Sequence, residues 1–194
     1  MIDLEFPDGS RREYAEGSSA RDVAAAISKS LEKRTILARL DGQLIDFDRP
    51  LPGSGKIELV GRDDPEALNV IRHDTAHILA QAVKELFPDT QVTIGPNVED
   101  GFYYDFARDQ PFSLDDLPRI EDRMRAIVDR DDKIRREEVG RDQAIADFKA
   151  MGEIYKAQII ESIPVGETVT VYHQGDSWKD LCRGPHLPST RHVG

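Results

Sequence analysis

The stretch TILARLDGQLIDFDRPL, residues 35–51, followed after PGSG by KIELV at 56–60, decides the fold of the amino-terminal part. Its apolar runs are short and are broken by DG, RP and PGSG, which reads as strands joined by turns. Upstream, IDLEF is apolar at every second position, PDG is a turn signal, and RREYAEG is the return strand of a hairpin. Between the two sets, Ser19 is a candidate N-cap before ARDVAAAISKSL, a helix whose Val23, Ala26, Ile27 and Leu31 mark one face. Strand, strand, helix, strands predicts a small α+β unit with a helix packed on a mixed sheet.

The chain of 194 residues has room for two small domains of this kind. Hydrophobic content of 39% beside 32% charged residues describes a globular protein and excludes a disordered one. No apolar run approaches a membrane span, so no membrane partner is expected. The start MIDLEFPDGS lacks a basic leader followed by an apolar region, which makes a cytoplasmic location the expectation. A net charge of −11 argues against a general phosphate-binding surface, though a local pocket could still inspect one nucleic-acid end. Cys182 is the single cysteine, so an intramolecular disulfide is impossible.

GRDDPEAL marks a join, with Pro65 suited to the first turn of a helix. From about Glu66 to Phe87, Leu68, Ile71, Ala76, Leu79, Val83 and Leu86 recur at helical spacing, and FPD ends the run. Within it IRHDTAHIL, residues 71–79, puts His73 and His77 on adjacent turns of one face, bordering the apolar stripe and able to face a cleft. TQVTIGPNVEDGFYYDF then alternates like strand around a GPN turn. SLDDLPRIEDRMRAIVDRDDKIRREEV, residues 113–139, reads as one long helix with Ser113 as its cap and a solvated charged face. RDQAIADFKAMG and EIYKAQIIESI give two shorter helices, and TVTVYHQ a strand.

Near the end, KDLCRGPHLPSTRH again spaces two such residues by four. Cys182 and His186 enclose Gly184 and Pro185, so this pair lies on a loop. Three imidazoles and one thiol are the ligand types zinc prefers, in a number that closes a tetrahedron or leaves room for water. They are equally the types that move protons near neutral pH. His173, His192 and Trp178 recur in no such pattern and are set aside.

LARLDGQLIDFDRPL with KIELV resembles the TGS domain, a ubiquitin-like β-grasp module. HDTAHILAQAVKELFPDTQVTIGPNVEDGFYYDF, then YKAQII, then DLCRGPHLPST, resembles segment by segment the editing domain of bacterial threonyl-tRNA synthetases. The resemblance implies a TGS domain over 1–62 and a threonyl/alanyl-type editing domain over 63–194, the latter with a long helix packed on an antiparallel sheet. It implies hydrolysis of serine from mischarged tRNA(Thr), because a site for threonine rejects serine by only one methyl, worth about 1–3 kcal/mol. Carried over residue by residue, it makes His73 the group that positions or deprotonates the attacking water and His77 its orienting partner. Lys156 would hold water or steady the oxyanion, Asp180 would read the seryl amine or hydroxyl, and Cys182 and His186 would complete the pocket. Tyr104 would be an aromatic wall against the substrate. No cofactor is expected here, with zinc on His73, His77, Cys182 and His186, as in alanyl-type editing, the alternative; a non-catalytic module that binds the tRNA end is another. ATP, magnesium and a further zinc would belong to an aminoacylation core, through which a homodimer would form. That core is expected to lie beyond Gly194, making this chain an amino-terminal fragment or a standalone editing protein.

Overall fold

The computed structural model describes residues 1–194, which divide into two compact units: Met1–Ile71 with Gly184–Pro188, and Arg72–Arg183 with Ser189–Gly194. In the first unit, β1 (Ile2–Glu5) and β2 (Arg11–Tyr14) form the expected hairpin, followed by α1 (Ala20–Ile27), α2 (Lys29–Arg34), β3 (Thr35–Leu40), β4 (Gln43–Asp46) and β5 (Gly55–Gly61). The sheet order is β2-β1-β5-β3-β4, with β1 and β5 parallel and the other pairs antiparallel. The DG turn between β3 and β4 works because Asp41 and Gly42 both take positive φ, 49° and 85°, which matches the twist of a tight hairpin. Leu4, Val23, Ala38, Phe47 and Ile57 close the core between helix and sheet.

Two local readings change in this unit. Ser19 caps α1 as expected, with its side chain accepting from the Asp22 amide and the Asp22 carboxylate accepting from the Ser19 amide. The helix does not run on to Leu31. Ser28 leaves helical geometry at φ −166°, and its hydroxyl accepts from the Leu31 amide to start α2, a competing local bond that serine favours. The buried face of α1 is Ala20, Val23 and Ala24, with Ile27 partly buried, and Ala26 points to solvent.

The second unit takes the helix α3 (Pro65–Leu86) from Arg72 onward. Two nested two-residue ladders follow: β6 (Gln91–Val92) pairs with β9 (Phe106–Ala107), and inside it β7 (Asn97–Val98) pairs with β8 (Gly101–Phe102). Next come α4 (Asp116–Arg130), β10 (Ile134–Val139), α5 (Arg141–Ala150), α6 (Ile154–Ser162), β11 (Val169–Gln174) and β12 (Trp178–Leu181). The last three-stranded sheet is antiparallel in the order β10-β11-β12. Ala144 and Phe148 of α5, with Ala157 and Ile160 of α6, pack on Val169 and Val171 of that sheet. Ile78, Ala82 and Val83 of α3 pack on Ile120 and Ile127 of α4.

The run 113–139 is not one helix. It stops at Arg130, where Asp131 turns left-handed at φ 55°, and IRREEV then pairs along all six residues with β11. Mixed charges in IRREEV mimic a helix surface, but at strand period Arg136 and Glu138 share a face and meet at 2.8 Å. Ser113 binds the first turn of α4 through the Asp116 carboxylate, which accepts from both its amide and its hydroxyl at 2.9 Å.

Facing α4 from α3, Glu85 accepts hydrogen bonds from Arg130 (2.7 and 2.8 Å) and Arg123 (2.9 Å), and Arg130 is the main cause that holds its carboxyl down to about 2. An acid whose folded pKa lies below its ordinary 4.5 adds stability above that value and loses it as pH falls through 2. After discounting for solvent screening, Glu85→Gln is expected to cost about 1 kcal/mol or less at pH 7. Urea unfolding followed at Trp178 should show the gap between the two proteins closing between pH 4.5 and pH 2. A gap that is constant over that range would mean that the charge of Glu85 is not what holds α4.

Candidate active site

The long helix α3 is a rigid mount, and His73 and His77 project from one face of it with ring centroids 4.6 Å apart and planes at 71°. Opposite them, β12 carries Asp180 and runs into Cys182. The Cys182 amide donates to the Thr170 carbonyl at 3.2 Å, and the Thr170 hydroxyl donates to the Cys182 carbonyl, so the residue is fixed through β11. Lys156 comes from the first turn of α6. That turn is anchored three residues earlier by Glu153, which pairs with Lys84 at 2.6 Å and accepts from the Val92 amide at 3.1 Å. Tyr104 lies between β8 and β9, its ring stacked on Phe106 at 5.0 Å.

These side chains converge on a cleft of about 370 Å³, within the common range of small-molecule sites, about 300–1,000 Å³. Its electrostatic centre is the Asp180 carboxylate. Lys156 Nζ lies 2.6 Å from Oδ1, the Leu181 amide donates to Oδ1 at 2.8 Å, the Tyr104 hydroxyl donates to Oδ2 at 3.1 Å, and His77 Nδ1 lies 3.3 Å from Oδ2. Four partners match the four lone-pair sites of a carboxylate. Lys156 is 4% exposed and Asp180 2%, so the pair is desolvated and survives because every lone pair is met. Lys156 also donates to the Tyr104 hydroxyl at 3.2 Å. Burial, and then the negative charge of Asp180, push the Tyr104 hydroxyl far above its ordinary pKa, so it remains a protonated donor.

Beside this network, His73 Nε2 and Cys182 Sγ lie 3.0 Å apart. His73, His77 and Cys182 keep their donor atoms within 4.8 Å of one another, and these are zinc-type ligands. The fit is imperfect. Nitrogen and sulfur on one tetrahedral zinc sit about 3.5 Å apart, from bonds of about 2.0–2.1 and 2.3 Å, whereas the observed separation is that of a hydrogen bond.

Six of the seven residues singled out from the sequence, His73, His77, Tyr104, Lys156, Asp180 and Cys182, therefore line one cleft. His186 lies on the segment Gly184–Pro188 of the first unit, where it is buried and its amide donates to Asp46 at 2.6 Å. His173 pairs with Glu137 at 2.6 Å, and His192 Nδ1 lies 2.8 Å from the Ser189 hydroxyl. Trp178, set aside on the sequence, meets His77 edge to face at 5.8 Å. Its signal was strand period: two residues before Asp180 on β12, it shares that residue's face.

Comparison with known proteins adds to this geometry. Residues 2–61 match the TGS domain family, a β-grasp fold in keeping with the mixed sheet above, and residues 169–194 match the threonyl and alanyl tRNA synthetase second additional domain. A threonine–tRNA ligase of Caulobacter sp. (strain K31) is 72% identical over 199 residues, covering 100% of this chain and 30% of that protein. Those of Phenylobacterium zucineum (strain HLK1) and Brucella canis are 66% and 52% identical, over 100% of this chain and 29% of each. The chain thus spans about three tenths of the length of these relatives.

The buried Lys156–Asp180 pair sets an expectation for stability. Lys156→Met leaves a desolvated carboxylate without its cation and should cost about 3–5 kcal/mol. Adding Asp180→Asn removes the stranded charge, so the double variant should be more stable than Lys156→Met alone. Additive losses in urea unfolding would show that the two groups act independently.

Proposed function

We propose that this chain, which corresponds over its whole length to the amino-terminal region of threonine–tRNA ligases, hydrolyses the ester that joins serine to the terminal ribose of tRNA(Thr). The observation that carries the reading is the single cleft in which His73 and Cys182, in contact with each other, face a fixed wall of Lys156, Asp180, Tyr104 and His77. An aminoacyl ester is already activated, so water is a sufficient nucleophile. The water oxygen bonds to the ester carbonyl carbon while His73 takes its proton; the carbon–oxygen bond to the ribose then breaks, and that proton passes to the leaving oxygen. Lys156 steadies the charge that develops on the carbonyl oxygen in a partly dry cleft. Asp180 keeps Lys156, Tyr104 and His77 in place, and its negative charge reads the seryl ammonium.

In this reading the partner is the acceptor end of tRNA(Thr) carrying serine, and the site residues need no metal. Any zinc would be held by His73, His77 and Cys182 and would supply an activated water. No helix is long and apolar enough to cross a membrane. A cytoplasmic setting and assembly through a ligase core are part of the same proposal.

The 3.0 Å contact between His73 and Cys182 also favours a second reading, a thiol nucleophile activated by imidazole. It makes a different prediction, a seryl-thioester on Cys182. Rapid quench is expected to trap none, and Cys182→Ser is expected to retain part of the activity. A trapped thioester would replace water attack with the covalent route.

Purified protein is expected to release serine from Ser-tRNA(Thr) and to leave Thr-tRNA(Thr) largely intact, with the same rate after exhaustive chelation. Equal rates on both esters would end the editing assignment, and activity lost on chelation and restored by zinc would make the histidines and thiol a coordination sphere. His73→Ala should lower the single-turnover rate by about 10²–10⁴-fold, the usual range for a lost acid–base group.

A further inference from the structure

We infer that Gly95 is a positioning residue for the cleft: the absence of a side chain there is what allows the Tyr104 hydroxyl to reach Asp180 and Lys156. A Cβ built on Gly95 would lie 2.2 Å from Tyr104 Cδ2 and 2.6 Å from Cε2. These are atoms of a rigid ring and not the far end of a flexible side chain, so the clash is relieved only by moving the ring as a whole. Phe106 stacks on Tyr104 at 5.0 Å with planes 23° apart. The hydroxyl is held by Asp180 at 3.1 Å and Lys156 at 3.2 Å.

The backbone explanation for a glycine does not apply. Gly95 is absent from the glycines at positive φ, so its conformation is open to other residues and the constraint is space alone. Ordinary carbon–carbon contact begins near 3.5 Å, so an added methyl must drive the ring back by roughly 1.3 Å. Swung by that distance, the hydroxyl passes beyond about 3.5 Å from Asp180, where the hydrogen bond is lost. The Asp180 carboxylate then keeps three of its four partners, and Lys156 loses the Tyr104 hydroxyl as an acceptor beside Asp180. Gly95 therefore touches no reacting atom and acts through Tyr104.

The inference on Tyr104 placement is structural, and its kinetic consequence rests on the ester-hydrolysis reading; the test separates the two. The Tyr104 hydroxyl proton, assigned by its loss in Tyr104→Phe, is expected to exchange slowly in proton NMR of the whole chain. Gly95→Ala should abolish that signal while leaving the melting temperature within a few degrees of wild type. Gly101→Ala is the control on the same hairpin, since a Cβ there meets nothing within 4 Å; its hydroxyl signal should persist. Survival of the signal in Gly95→Ala would overturn the inference whatever the enzyme does. On seryl ester, Gly95→Ala and Tyr104→Phe should each slow single turnover about 10- to 100-fold, the range for one hydrogen bond to a charged group, and the double variant should be no slower than the worse single. Multiplied losses in the double variant would show that Gly95 acts by some route other than Tyr104. A wild type inactive on the ester would count against the functional reading and leave the NMR result to decide the positioning.

Discussion

A carboxylate removed from water is costly, and everything around Asp180 is arranged to meet that cost. Its four partners come from four elements: Lys156 from α6, Tyr104 from the turn between β8 and β9, His77 from α3, and the amide of Leu181 from β12 itself. Only the Leu181 amide is supplied by neighbouring sequence; the other three come from distant segments, so the carboxylate can be buried only once these elements have met. The dependence runs both ways. Asp180 is the one carboxylate that lines the cleft with Lys156, and a tyrosine hydroxyl with so high a pKa serves only as a neutral donor.

A second, half-buried ion pair supports the first. Lys84 and Glu153 meet at 2.6 Å, and Lys84 also donates to the Pro88 and Thr90 carbonyls at 2.8 and 2.9 Å. The end of α3, the loop after it and the start of α6 are thereby tied at one point, three residues from Lys156. Gln91 repeats the tie, donating to the Gly152 carbonyl at 2.7 Å and accepting from the Ile154 amide at 3.0 Å. Lysine side chains have much rotamer freedom to lose. Fixing the helix that carries Lys156 from two directions places its backbone before the side chain is called on to order.

What could be read in the sequence followed from whether the signal was local. The hairpin, the DG turn, the Ser19 cap and the histidine face of α3 each depend on residues within one turn or one strand, and each is present. IRREEV misled because its charges satisfy a helical and a strand period alike; the choice is made by β11, some thirty residues away. Ser28 was invisible because a serine within a helical run differs from a serine that ends it only by which amide its hydroxyl meets. In the site, the residue types announced His73, His77 and Cys182, and family likeness brought in Lys156, Asp180 and Tyr104. Gly95 has no chemistry to announce, and its meaning exists only beside the Tyr104 ring.

The opposite edges of the cleft differ in the kind of order they carry. The Asp180 side is charged, buried and saturated with partners, so moving one group disturbs several. The His73–Cys182 side is joined by a contact of 3.0 Å, on a helix that is rigid for packing reasons of its own: Ile78, Ala82 and Val83 hold α3 against α4. A reacting site gains from that division. The groups that must recognise and polarise should not reorganise, because their effect comes from being aligned before charge develops, whereas the group that moves a proton must change partners in every turnover. In the proposed hydrolysis, His73 on α3 would exchange its hydrogen bond while Asp180 on β12, tied to Lys156, Tyr104 and His77, stays in place.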